Sequence, residues 1–114
     1  MMEVFMVETL VIKNTIRGGK NIEHFGDIIV LGDVYPGTEV RAGGNIVVMG
    51  CAQGTLIAGT VTGDAAIITV GRFQCPHIKI GKFSARQETI NPRGAEYLAV
   101  EKGQLISKVI KTQS

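Results

Sequence analysis

The amino-acid sequence predicts an all-β solenoid of triangular section, a β-helix of about four coils ending in a C-terminal hairpin. Three observations predict it. Apolar strand-like runs recur every 18 residues. Fifteen glycines interrupt those runs before they reach the length of an ordinary helix. And no single copy can bury its own apolar face, whereas stacked copies can.

The repeat is visible in two series. Leu10-Val11-Ile12-Lys13, Ile28-Ile29-Val30-Leu31 and Ile46-Val47-Val48-Met49 follow one another at a step of 18. Gly19-Lys20-Asn21-Ile22 and Gly37-Thr38-Glu39-Val40 keep the same step, as do Gly26-Asp27-Ile28 and Gly44-Asn45-Ile46. Beyond Gly50 the step loosens: Gly54-Thr55-Leu56-Ile57 follows 17 residues behind its counterpart, and Gly63-Asp64 comes 19 after Gly44. Changes of one or two residues belong at corners, because connections tolerate them. Side chains alternate along a strand, so Ile12, Val30 and Val48 are expected to stack inside as one column. Ile22, Val40 and Ile57 are expected to form another. The solenoid spans about 9–81 and a tail 82–114, within a single domain of 114 residues.

Two of the strands are apolar on both parities, where a strand with one wet face should alternate. Ile29, Leu31, Val47 and Met49 are therefore expected to face a second surface. A homodimer interface is the preferred reading, because contiguous apolar patches mark contact sites and two-fold dimers are the commonest closed assembly. A wide core or a covering C-terminal segment is the competing one. In the tail, 82–94 is polar and holds the turn signal Asn91-Pro92-Arg93-Gly94. Tyr97–Val100 and Leu105–Ile110 flank Glu101-Lys102-Gly103-Gln104 as a hairpin. It could cap the open end of the solenoid or reach a partner.

A search for chemistry returns no catalytic residue, no metal ligands and no cofactor site. His24, at a corner, and His77, at a strand start, are isolated, and metal sites need clustered ligands. Cys51 and Cys75 form no CxxC pair and read as packed thiols of a reduced, cytosolic chain. None of the serines, Ser84, Ser107 and Ser114, lies in a nucleophile elbow. Gly18-Gly19-Lys20-Asn21 lacks the glycine spacing and the hydroxyl residue of a phosphate loop. A net charge of +2 with few aromatics gives no electrostatic case for nucleic acid. The apolar runs are too short to span a bilayer, and the N-terminus lacks a secretory pattern. A hexapeptide-type acyltransferase also has coils of 18 residues, but its grid needs an aliphatic residue where Ile16, Val34 and Ala52 fit only weakly.

One corner stands out. Arg17-Gly18-Gly19-Lys20 occupies the place that Tyr35-Pro36-Gly37-Thr38 fills one coil later. It is either a solvated turn with incidental charge or a recognition corner, in which glycines admit a partner's backbone and Arg17 grips a carboxylate.

The segments Ile16–Ile22, Gly26–Gly37 with its Gly-Asp-Val-x-Pro-Gly, Ala42–Gly50 with its Ala-Gly-Gly-Asn-Ile, and Gly54–Gly59 with Gly63-Asp64 resemble the C-terminal domains of the septum-site-determining MinC family over roughly 10–110. The resemblance implies a right-handed β-helix that dimerises through one face. It implies docking on the membrane-associated ATPase MinD, in its ATP-bound form, through an Arg-Ser-Gly-Gln motif. Here Arg17 and Gly19 match that motif, while Gly18 stands for Ser and Lys20 for Gln. It further implies a part in directing inhibition of the division protein FtsZ, for which a separate N-terminal domain, with no room in this chain, supplies the main activity. Membrane contact would be indirect, the protein being recruited from the cytoplasm to the inner face of the membrane by MinD. The nucleotide would be MinD's and this chain would need no cofactor. A bactofilin-like, self-polymerising scaffold is the main alternative, the acyltransferase the second.

Overall fold

The computed structural model describes residues 7–86 and 95–110. The strands are β1 (Leu10–Ile12), β2 (Asn21–His24), β3 (Ile28–Val30), β4 (Glu39–Ala42), β5 (Ile46–Ala52), β6 (Thr55–Ala58), β7 (Ile68–Phe73), β8 (His77–Ile80), β9 (Phe83–Arg86), β10 (Glu96–Glu101) and β11 (Gln104–Val109), with one 3-10 turn at Gly63–Ala65. They form two sheets, ordered β1-β3-β5-β7-β10-β11 and β2-β4-β6-β8-β9. Pairing is parallel from β1 to β7 and from β2 to β8, so each coil contributes one strand to each sheet. The third side of the triangle is only a ladder of single bridges, Ile16 to Val34 and Val34 to Ala52.

Hydrophobic burial fixes the register. Leu10, Ile28, Ile46 and Ile68 lie side by side, and so do Ile12, Val30, Val48 and Val70. The inward residues of the central coils are fully buried, and a one-residue slip would turn every one of them to the surface. Ile16, Val34 and Ala52 are buried too. The position that looked weakly filled is thus the core lining of the third side, where small bridges replace a strand.

The expected second column needs correction. Val40 pairs with Leu56, and Ile57 pairs with Arg41 on the outer side of the sheet. The corner of the third coil is shorter than a one-residue deletion would make it: Val34 bridges Ala52 at 18, but Glu39 pairs with Thr55 at 16. The next corner is longer, because Ile46 pairs with Ile68 at 22. This insertion carries the 3-10 turn, so Gly63-Asp64 belongs to an added loop rather than to the fourth strand of the first sheet.

The solenoid ends by reversing direction. β8 turns back through Gly81, in positive φ, into β9, and they pair antiparallel. The stretch 82–94, read as polar with a turn signal, therefore begins with a strand, whose inward Ala85 pairs with Ile78 while Ser84 and Arg86 face solvent. The hairpin expected around Lys102-Gly103 is present as β10 and β11. Both turn residues have φ > 0, the geometry of a type I′ turn. β10 pairs antiparallel with β7 and buries Leu98 and Glu96. The hairpin thus extends the first sheet and covers its last parallel edge, the edge that an open solenoid exposes. The turn read at Asn91-Pro92-Arg93-Gly94 lies outside the described residues.

Candidate functional surfaces

The two sheets present different outer faces. On the second sheet the outward residues of neighbouring strands include Glu23, Arg41, Lys79 and Ser84. Arg41 is held by Glu23 at 3.7 Å and Glu39 at 3.5 Å. These exposed pairs satisfy charge and add little stability. A shallow groove of about 560 Å³ beside them is lined by Arg41, Ile57, Asp64, Lys79 and Lys82 among others.

The outer face of the first sheet is apolar where the second is charged. Val11, Ile29 and Val47 stand in one outward column. Leu31 and Met49, two residues further on, point the same way and are 49% and 61% exposed. The four residues expected to face a second surface do point away from the core. The sequence reading missed Val11, 46% exposed, although it precedes Ile29 by one repeat.

All four residues of the corner Arg17-Gly18-Gly19-Lys20 are exposed. It follows Ile16, whose bridge to Val34 anchors it to the next coil. Gly19 turns the chain at φ +82, as Gly37 does one coil later at +81, a conformation that side chains with a Cβ rarely adopt. A Cβ added at Gly18 or Gly19 would meet nothing within 4 Å, so a partner can reach the backbone here. The Arg17 guanidinium lies over the Tyr35 ring, 5.3 Å from its centroid. That contact was missed in the sequence, although the repeat places Tyr35 one coil after Arg17. Beyond Tyr35 the same edge carries Gln53, whose Nε2 donates to Gln74 Oε1 at 3.1 Å.

The remaining candidates are structural. His24, read as an isolated corner residue, closes β2. It stands in the inward column with Ala42, half-buried at the open end, where its Nε2 bonds the Glu8 carbonyl oxygen. His77 opens β8 and is half-buried. Both cysteines are free thiols. Cys51 donates to Gln74 Oε1, and Cys75, within the core, donates to the Ala52 carbonyl. Burial, with a smaller contribution from Cys51, pushes the Cys75 thiol far above the ordinary thiol range. Such a thiol is unsuited to nucleophilic work. Among the described residues no group of three or more His, Cys, Asp and Glu could hold a metal ion, and no helix is long and apolar enough to cross a membrane.

The family model described as the septum formation inhibitor MinC, C-terminal domain, matches residues 10–110. The chain belongs to the MinC C-terminal domain family. The probable septum site-determining protein MinC of Aquifex aeolicus is 40% identical over 93 residues, covering 82% of this chain and 46% of that protein. The protein of the same description from Heliobacterium modesticaldum is 38% identical over 89 residues, 78% of this chain and 31% of that one. The chain thus spans about a third to a half of the length of these curated relatives. Among solved structures, a chain of the MinC:MinD cell division protein complex of Aquifex aeolicus superposes with a TM-score of 0.87 at 35% identity, covering 93% of this chain and 89% of that one.

Two residues of this corner have separate physical roles in this fold. Arg17 supplies the charge, and Gly19 supplies the positive φ that makes the corner. Gly18 and Lys20 lie at exposed positions.

Proposed function

We propose that this domain self-associates through the outer face of its first sheet and docks on MinD through the Arg17-Gly18-Gly19-Lys20 corner. It would so help to direct inhibition of FtsZ assembly and the placement of the septum. One observation carries the docking reading: the MinC-type motif falls on an exposed corner with an accessible backbone and a cation lacking an intramolecular acid partner among the described residues, within a fold that closely matches a chain of a MinC:MinD complex. Val11, Ile29, Leu31, Val47 and Met49 support the homodimer, because a patch of this kind is unfavourable in water. The reading is that of a binding module without cofactor or catalytic residue. MinD supplies the nucleotide and the contact with the inner face of the membrane.

The test is co-sedimentation with vesicles containing phosphatidylglycerol. The domain alone should remain in the supernatant and should pellet when MinD and ATP are both present. Pelleting without MinD would contradict indirect recruitment, and failure to pellet with ATP-loaded MinD would contradict docking. The polymer-forming scaffold is disfavoured by the C-terminal end, where β9 and the β10–β11 hairpin replace the parallel edges that end-to-end stacking would use. Long filaments in light scattering of the domain alone would reverse that preference.

A further inference from the structure

We infer that Tyr35 is a positioning residue for Arg17, holding its guanidinium where a partner's carboxylate can meet it. The inference rests on the docking role proposed above and extends it to a residue of the next coil.

Arg17 projects from a corner with little to hold it. Its neighbours are Gly18 and Gly19, with open space around both, and a free arginine loses much rotamer freedom when it is captured. The Tyr35 ring, by contrast, has a rigid base. Tyr35 N–H donates to the Ile16 carbonyl at 3.0 Å, and the neighbouring Val34 is buried and bridged to both Ile16 and Ala52. A tyrosine has only two side-chain torsions to fix. Tyr35 is 38% exposed, and its ring carries the Arg17 guanidinium 5.3 Å from its centroid.

The contact also suits recognition of an anion. A cation over a ring face is attracted by the ring quadrupole, which uses no hydrogen-bond acceptor. The N–H groups of Arg17 therefore remain available for a bidentate bond to a carboxylate. Arg41 differs: its charge is already answered by Glu23 and Glu39. Among the described residues Arg17 has no such acid partner.

Two measurements test the inference. In the free domain, the Arg17 side-chain protons should show an upfield ring-current shift in NMR that Tyr35→Phe keeps and Tyr35→Leu removes. In binding to ATP-loaded MinD, Tyr35→Phe should match the unmodified chain, and Tyr35→Leu should weaken affinity about two- to fivefold. In an Arg17→Ala background Tyr35→Leu should have no further effect. A Tyr35→Leu loss that persists in that background would make Tyr35 an independent contact and overturn the positioning role. So would an unchanged affinity for Tyr35→Leu alone while Arg17→Ala is weakened, an outcome that leaves the docking corner intact. If the unmodified domain does not bind MinD, the docking role and the inference fall together.

Discussion

Asp27 accepts the backbone N–H of Asn45 through Oδ1 at 2.6 Å, one repeat later in the chain. Asn45 in turn accepts from Ile67, and at the neighbouring corner Thr15 accepts from Asp33 and Asp33 from Cys51. Short polar side chains thus stitch each coil to the next at the corners, where the strand ladder is interrupted. A carboxylate bonded to a part-buried N–H is stronger than a neutral pair. Asp27→Ala should therefore destabilise the domain by about 1.5–3 kcal/mol. Urea denaturation should show a lower midpoint with an unchanged slope.

Glycine substitutions should divide by what lies over them. A Cβ at Gly43 would fall 1.8 Å from the Phe25 carbonyl oxygen of the preceding coil, whereas one at Gly18 meets nothing. Gly43→Ala must push two coils apart and should cost about 2 kcal/mol or more. Gly18→Ala should stay within about 0.5 kcal/mol of the unmodified chain. Gly19→Ala, with open space but positive φ, should fall between them through backbone strain of about 1–2 kcal/mol. Thermal melting of the three variants gives the order.

The buried Cys75 thiol should make stability depend on alkaline pH. Burial raises its native pKa above that of the unfolded chain. The unfolded chain therefore releases a proton first, and stability should fall as pH rises past about 8.5. Below that pH both states keep the proton and the effect vanishes. Urea midpoints measured at pH 7.5 and 9.5 should differ more for the unmodified chain than for Cys75→Val, and equal differences would count against this account.

The 18-residue period made the first three coils legible. It aligned Leu10 with Ile28 and Ile46, and Ile22 with Val40, and the structure pairs these residues so. It lost the register after Gly50 because two corners changed length in opposite senses, the first losing two residues and the second gaining six. A glycine marks a corner without stating how many residues the corner holds, so Ile57 was assigned inward in place of Leu56. β9 was hidden because a short strand with a solvent-facing side, Ser84 and Arg86, has the composition of a loop. The corner Arg17-Gly18-Gly19-Lys20 stood out by its charge. Its contact with Tyr35 did not, because it requires the two coils to be stacked.

The outer apolar face gives a prediction of assembly. Val47 stands in the outward column between Ile29 and Thr69 and makes no inward contribution to the core. Val47→Lys should leave the far-ultraviolet circular dichroism unchanged and convert a dimer into a monomer in analytical ultracentrifugation. A dimer that survives would move the interface to another surface.

Calorimetric titration of the domain and its Arg17→Ala variant into ATP-loaded MinD tests the central claim most directly. The unmodified domain should bind saturably, and Arg17→Ala should lose about 2 kcal/mol or more, roughly 30-fold in Kd. Equal affinities for the two chains would remove Arg17 from the docking site, and no binding by the unmodified domain would contradict the account as a whole.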